Sequence, residues 1–165
     1  SRYRKTAGLC ESLVCVLNIG KGEKNMMRNP QQTIGNLIEK STQAFIAYID
    51  GEGYPITKAM LKPRDRKDIK EFWFTTNTSS NKVKFFRENP KASIYFVDKR
   101  FFRGVSLIGT VEVLEDQESK RQIWLEGDTM YYPLGVDDPD YCVLKFTAIK
   151  GRYYSNFHSE DFTIE

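Results

Sequence analysis

A chain of 165 residues with 40% apolar and 13% aromatic side chains is the size of one globular domain with a real core, which excludes a disordered polypeptide. Its net charge of +3 is too small for a nucleic-acid binder that depends on charge alone. Three cysteines, Cys10, Cys15 and Cys142, are an odd number without a CxxC pair, so neither a disulfide framework nor a zinc site is expected and a reducing compartment fits.

Residues 1–29 show no clear periodicity and are treated as a segment of unknown role, ahead of one domain spanning 30–165. The opening SRYRK followed by LCESLVCVL faintly resembles a signal peptide, but Glu11 interrupts the apolar part and no small-residue cleavage site follows. No apolar run approaches the roughly 18 residues that a membrane-spanning helix needs. The cytoplasm is the expected location. A helix is expected from Pro30, with Ile34, Leu37 and Ile38 on one face and proline acceptable in the first turn. AFIAYI (44–49) reads as a strand, DGEG (50–53) as a hairpin turn, and YPITKAML (54–61) as the return strand. KPRDRKDIK (62–70) mixes both signs of charge. It reads as a solvated loop, with a nucleic-acid patch as the sharper alternative that Asp65 and Asp68 weaken.

EFWFTT (71–76) is a strand, and SNKVKFFREN (80–89) a helix stopped by Asn89 and Pro90. ASIYFV (92–97) and VSLIGTVEVL (105–114) are strands, the second with Gly109 as a bulge or bend. QESKRQIWLEG (117–127) is expected to be a short helix ending at its glycine, followed by the loop DTMYYPLGVDDPD (128–140). YCVLKFTAI (141–149) and RYYSNF (152–157) are expected as two strands around a Lys150-Gly151 turn. Strands follow one another through tight turns with few helices between, which favours an antiparallel barrel with peripheral helices over a parallel α/β sheet.

The usual catalytic equipment is thin. The one histidine, His158, lies in the polar stretch HSED, where a solvated role outweighs that of a held base. No phosphate-binding glycine motif occurs. Asp137, Asp138 and Asp140 could ligate a divalent cation, but acids in a Pro-Gly loop also serve as turn and capping residues. The segment 74–86, FTTNTSSNKVKFF, is more informative. A helix start favours acidic residues, yet this one opens with Ser80, Asn81 and Lys82, with Lys84 two residues on. Free N–H groups, a hydroxyl and a lysine converging on one phosphate would explain it, and so would a serine cap with solvated lysines. Lys58, mid-strand among apolar neighbours, needs solvent or an anion, and a neighbouring strand could aim it at the same phosphate.

GYPITKAM, FWFTTNTSSNKVKFFRENPKASIYFVD and VSLIGTVEVL together resemble the FMN-binding split barrel of the pyridoxamine 5′-phosphate oxidase superfamily. IWLEGDTMYYPLGVDDPDYCVLKFTAIKGRYY is similar to its general stress protein 26-like branch. The resemblance covers roughly residues 30 to 157 and implies a mainly β fold with peripheral helices, a six-stranded antiparallel split β-barrel. It also implies FMN at a homodimer interface. By position it puts Lys58 at the phosphate, Ala59 and Met60 along the flavin through their backbone, and Thr75 and Thr76 beside the isoalloxazine ring. Ser80, Asn81 and Lys82 fall at the phosphate end. Trp124, Tyr131 and Tyr132 are candidates for contacts from the partner, with core or rim as the other reading. Asn81 stands where the oxidases proper carry a second basic residue, and Gly104 where they carry a glutamine. No arginine follows Arg152, so the C-terminal Arg-and-His substrate clamp is missing. The resemblance therefore implies a flavoprotein, an FMN-dependent oxidoreductase acting on a small molecule or on NAD(P)H, rather than a vitamin B6 oxidase. The alternative is a non-catalytic FMN-binding or storage protein, or a stress-related ligand-binding protein. Neither nucleic acid nor membrane is an expected partner.

Overall fold

The computed structural model describes residues 29–165. The chain runs α1 (Pro30–Lys40), β1 (Gln43–Ile49), β2 (Pro55–Leu61), β3 (Asp65–Lys67), β4 (Glu71–Asn77), α2 (Asn81–Glu88), β5 (Lys91–Asp98) and β6 (Arg103–Leu114). After α3 (Gln117–Ile123) come two 3₁₀ turns, Glu126–Met130 and Gly135–Asp137, then β7 (Tyr141–Ser155) and β8 (His158–Thr163). The segment 1–28, where most of the N-terminal stretch of unknown role falls, lies outside the described residues. No helix among the described residues is long and apolar enough to cross a membrane.

Local chemistry sets most of these boundaries. Asn29 caps α1 by accepting from Gln32 N at 3.1 Å, Pro30 occupies the first turn, and Ile34, Leu37 and Ile38 are buried as the spacing predicts. In the β1–β2 turn, Asp50 Oδ1 accepts from Glu52 N and Tyr54 N at 2.9 and 2.8 Å, and Gly53 takes a φ of +89°. Strict alternation buries Ala44, Ile46 and Tyr48 from β1, Phe72 and Phe74 from β4, and Ile94 and Phe96 from β5. Their aromatic rings meet at the centre, with Phe72 5.8 Å from Phe96 and 6.1 Å from Phe146 between ring centroids. Burying each such side chain contributes about 1.5–3 kcal/mol.

The sheet is antiparallel throughout, in the order β2-β1-β5-β6-β7-β4-β3, with β8 added beside β7. The architecture is mainly β with peripheral helices, as the resemblance implies, but the strand count is eight rather than six. One extra strand comes from the polar 62–70 segment, where Asp65–Lys67 pairs with Glu71–Trp73. Its charges are used within the molecule: Arg64 pairs with Asp128, Arg66 with Glu39, and Asp65 accepts from Gln122. The other comes from the C-terminal stretch, so His158 opens a strand opposite Ser155 and its side chain is exposed.

The expected Lys150-Gly151 turn is absent, and β7 runs straight through it. Gly151 is there for close packing: a Cβ would stand 2.5 Å from the Phe162 ring and 2.8 Å from the Ser106 carbonyl oxygen. The actual turn is Asn156-Phe157, both at positive φ, as a tight two-residue hairpin requires. The bulge expected at Gly109 is present, where the β6–β7 register shifts between Ile108 and Gly109. Helix α3 stops at Ile123, short of the expected glycine. Trp124 turns extended and packs its ring 5.1 Å from Tyr141 and 6.2 Å from Tyr132.

Candidate functional site

The two ends of the sheet order face each other across a cleft. Ala59, Met60 and Leu61 of β2 form one wall, and Thr75, Thr76 and Asn77 of β4 the other. Lys82, Arg64, Asp128, Tyr131 and Tyr132 complete a space of about 350 Å³. Among the described residues β2 pairs only with β1, so its other edge is open to the cleft and its backbone can take part in the wall.

Five of the eight residues expected at the site line this one cleft: Ala59, Met60, Thr75, Thr76 and Lys82. The other three do not line it. Lys58 faces Ile46 across β1–β2, which puts it on the same sheet face as Met60, and it is exposed, so solvent satisfies it. Asn81 is exposed at the first position of α2. Ser80 precedes the helix with extended backbone, but its side chain makes no capping hydrogen bond. Instead Lys82 Nζ donates to Ser80 Oγ at 3.3 Å. The reading of an ordinary serine cap therefore fails on geometry.

Lys82 is half-buried and has no carboxylate partner within 4 Å among the described residues. Burial pushes its ammonium below the usual lysine range; Cys142 opposes that shift and the neighbouring charge of Lys58 adds to it. Two cations near the start of one helix, with no anion beside Lys82, make a local excess of positive charge. Lys84 points elsewhere, exposed and 5.4 Å from the centroid of the Phe85 ring.

At the far end Arg64 Nη2 donates to Asp128 Oδ1 at 2.6 Å, and Asp128 Oδ2 accepts from Leu125 N at 3.0 Å. Arg64 Nη1 is buried without a hydrogen-bond partner among the described residues. Sequence reasoning missed this pair, because Arg64 stands in a segment of mixed charge and Asp128 in a loop sixty-four residues away. Tyr132 is buried, and that burial, with the acidic groups nearby, pushes its phenol up to about 12, so it stays protonated. Tyr132 packs in the second core cluster with Tyr141 while lining the cleft, whereas Tyr131 is 64% exposed. Trp124 packs against that cluster. Cys142 is fully buried and burial pushes its thiol up, the opposite of an activated nucleophile. Within the 137–140 stretch, Asp138 accepts from Leu134 N and Asp140 N, and Asp140 from the Asn77 side-chain amide and Ser79 N.

Residues 30–155 match the family model described as pyridoxamine 5′-phosphate oxidase. The chain belongs to this family. It is 32% identical over 93 residues to a pyridoxine/pyridoxamine 5′-phosphate oxidase of Idiomarina loihiensis, a match covering 55% of this chain and 42% of that relative. The chain thus spans less than half the length of that enzyme. Among solved structures, a Clostridium acetobutylicum protein related to general stress protein 26 of B. subtilis, of the pyridoxinephosphate oxidase family, shares 40% identity. Its TM-score is 0.75 over 81% of this chain and 94% of that one. That likeness places the chain in the general stress protein 26-like branch. General stress protein 26 of Bacillus anthracis shares the fold at 17% identity, with a TM-score of 0.67 over 81% of this chain and 98% of that one. A heme-binding protein of Mycobacterium smegmatis shares it at 19%, with a TM-score of 0.62 over 83% and 59%.

Proposed function

We propose that the cleft binds FMN and that the protein is an FMN-dependent oxidoreductase acting on a small molecule or on NAD(P)H. The observation that carries this reading is Lys82 in the first turn of α2, a half-buried cation without a carboxylate partner among the described residues. The first N–H groups of a helix have no intrahelical acceptor, so Asn81 and Lys82 offer backbone donors beside the Ser80 hydroxyl and the Lys82 ammonium. These groups would hold the phosphate, with the charge of Lys58 adding attraction. Ala59, Met60, Thr75 and Thr76 would flank the ring. When bound, the flavin supplies the electron-transfer chemistry; the protein supplies position, electrostatics and exclusion of water.

The cleft offers one cationic anion end, at Lys82, because Arg64 at the other end is already neutralised by Asp128. FMN, with its single phosphate, is therefore expected rather than FAD. Mass spectrometry of the heat-released ligand, or of ligand bound after reconstitution, checks this. FAD, or no flavin at all, would overturn the assignment. Haem finds less support, since no histidine lines the cleft.

A homodimer is part of the same proposal. On the sheet face opposite the core, Phe45 lies between Ala59 and Tyr95, and Ser93 faces Ile108. Leu61, Tyr95 and Ile108 on that face are 65%, 42% and 40% exposed, an uncovered apolar surface that a second copy would bury. Light scattering at micromolar concentration is expected to give twice the chain mass. A monomer that still holds flavin tightly would rule the shared interface out.

A carrier that binds FMN without turning over is the second reading. In its favour, the acid and the guanidinium lining the cleft are locked to each other and no histidine lines it, so the walls provide little for proton transfer. Flavin reduction by NADH or NADPH under anaerobic conditions separates the two.

A further inference from the structure

The loop from Asn77 to Ser80, between β4 and α2, has no glycine or proline to hold its shape. It is held by one residue that enters from the start of β7. Asp140 Oδ2 accepts from the Asn77 side-chain amide at 2.8 Å, its Oδ1 from Ser79 N at 2.8 Å, and its carbonyl oxygen from Thr78 N at 2.8 Å. Asp140 is itself fixed, because its N–H donates to Asp138 Oδ1 at 2.9 Å. The buried Asp138 is tied in turn to Leu134 N through Oδ2 at 3.2 Å, and its carbonyl accepts from Tyr141 N at 3.0 Å.

From this arrangement we infer that Asp140 is the positioning residue for the anion-binding end of the cleft, an inference that rests on the FMN reading above. Asp140 sorts the donors of the loop through its carboxylate and its carbonyl. Thr78 and Ser79 N–H are taken by Asp140, and Ser80 N–H donates to Asn77 O at 3.1 Å. The donors left for a ligand are the Ser80 hydroxyl, the first-turn N–H groups of Asn81 and Lys82, and the Lys82 ammonium. Without the Asp140 side chain the Asn77 amide and Ser79 N–H lose their acceptor, only the Thr78 N–H bond to the residue-140 carbonyl remains, and part of the cost of ordering the loop moves to the binding step. A carboxylate near a phosphate could instead compete with it. Both oxygens of the Asp140 carboxylate are already taken, by the Asn77 amide and Ser79 N, and Asp140 does not line the cleft it frames. The hydrogen bonds from Asn77 and Ser79 hold the Asp140 carboxyl below the usual range, so it remains ionised at neutral pH.

Titration of the full chain with FMN and with riboflavin, which lacks the phosphate, tests this directly. Asp140→Ala is expected to weaken FMN binding about tenfold or more, the scale of losing charged hydrogen bonds, while riboflavin affinity stays within about twofold. Asp140→Asn keeps one acceptor oxygen and should fall between. Unchanged or tighter FMN binding in Asp140→Ala would overturn the inference, the tighter result meaning that the carboxylate competes with phosphate. Equal losses for FMN and riboflavin would overturn it as well, because the whole cleft would then have been disturbed. If Asp140→Ala does not fold, the same contrast in Asp140→Asn decides. A wild-type protein that binds FMN no better than riboflavin would instead remove the phosphate reading itself, and that result is visible before any variant is made.

Discussion

Lys82→Ala is expected to weaken FMN binding by about 1.5–3 kcal/mol, or roughly ten- to hundredfold, the range for losing a hydrogen bond to a charged group. The apo protein should lose no stability. Burial holds the Lys82 ammonium below its ordinary range, and a lysine whose pKa is lowered on folding opposes the fold at every pH where it is protonated. Its position at the positive end of α2 acts in the same direction. Removing it therefore costs nothing until an anion arrives. Lys84→Ala, two residues further on and exposed, should leave affinity unchanged and is the control for general loss of positive charge. Flavin-fluorescence titration of both variants, with thermal melts of the apo proteins, reads the contrast. Equal affinity in Lys82→Ala and the parent would detach the lysine from the phosphate.

Gly109→Val is expected to destabilise the fold by about 3 kcal/mol or more, lowering Tm by roughly 6–12 °C. At the β6 bulge a Cβ on residue 109 would stand 1.9 Å from Thr147 O and 2.9 Å from the Ala148 Cα. Both are backbone atoms of the adjacent strand, so no side-chain rotation relieves the clash. The long β6–β7 ladder that carries the centre of the sheet would have to part. Gly127→Ala is the control, since nothing lies within 4 Å of the Cβ it would add. Thermal melts should show a large drop for the first and almost none for the second. A Gly109→Val protein as stable as the parent would mean that β6 and β7 can separate there without cost.

The contrast between these two glycines shows how far local reading reaches. Gly109 was legible as a bulge because it interrupts a run of apolar alternation. The proline-led start of α1, the Asp50–Gly53 turn and the strands β1, β4 and β5 were legible for the same reason. Each depends on residues within about four positions of one another, through caps, φ preferences and the two-residue period of a strand. The helix start at 80–82 was legible too, as a violation of the charge preference of a helix N-terminus.

Other features depended on partners far along the chain. Gly151 looked like a turn residue, but its role is set by Phe162 and Ser106 packing against it. Asp65–Lys67 became a strand because β4 offered an edge, and α3 stopped early because Trp124 was needed against Tyr132 and Tyr141. The cleft itself belongs to this second kind. Its walls come from the two ends of the sheet order, its far end from Arg64 and Asp128, and its anion loop is shaped by Asp140 from sixty-one residues away. The sequence by itself determined the residue types at the anion end and the strands that bear them. Only the tertiary structure decided that Lys82 stands half-buried without a counter-ion among the described residues and that Lys58 is left to solvent. Burial and pairing are properties of the assembled sheet, and no local window contains them.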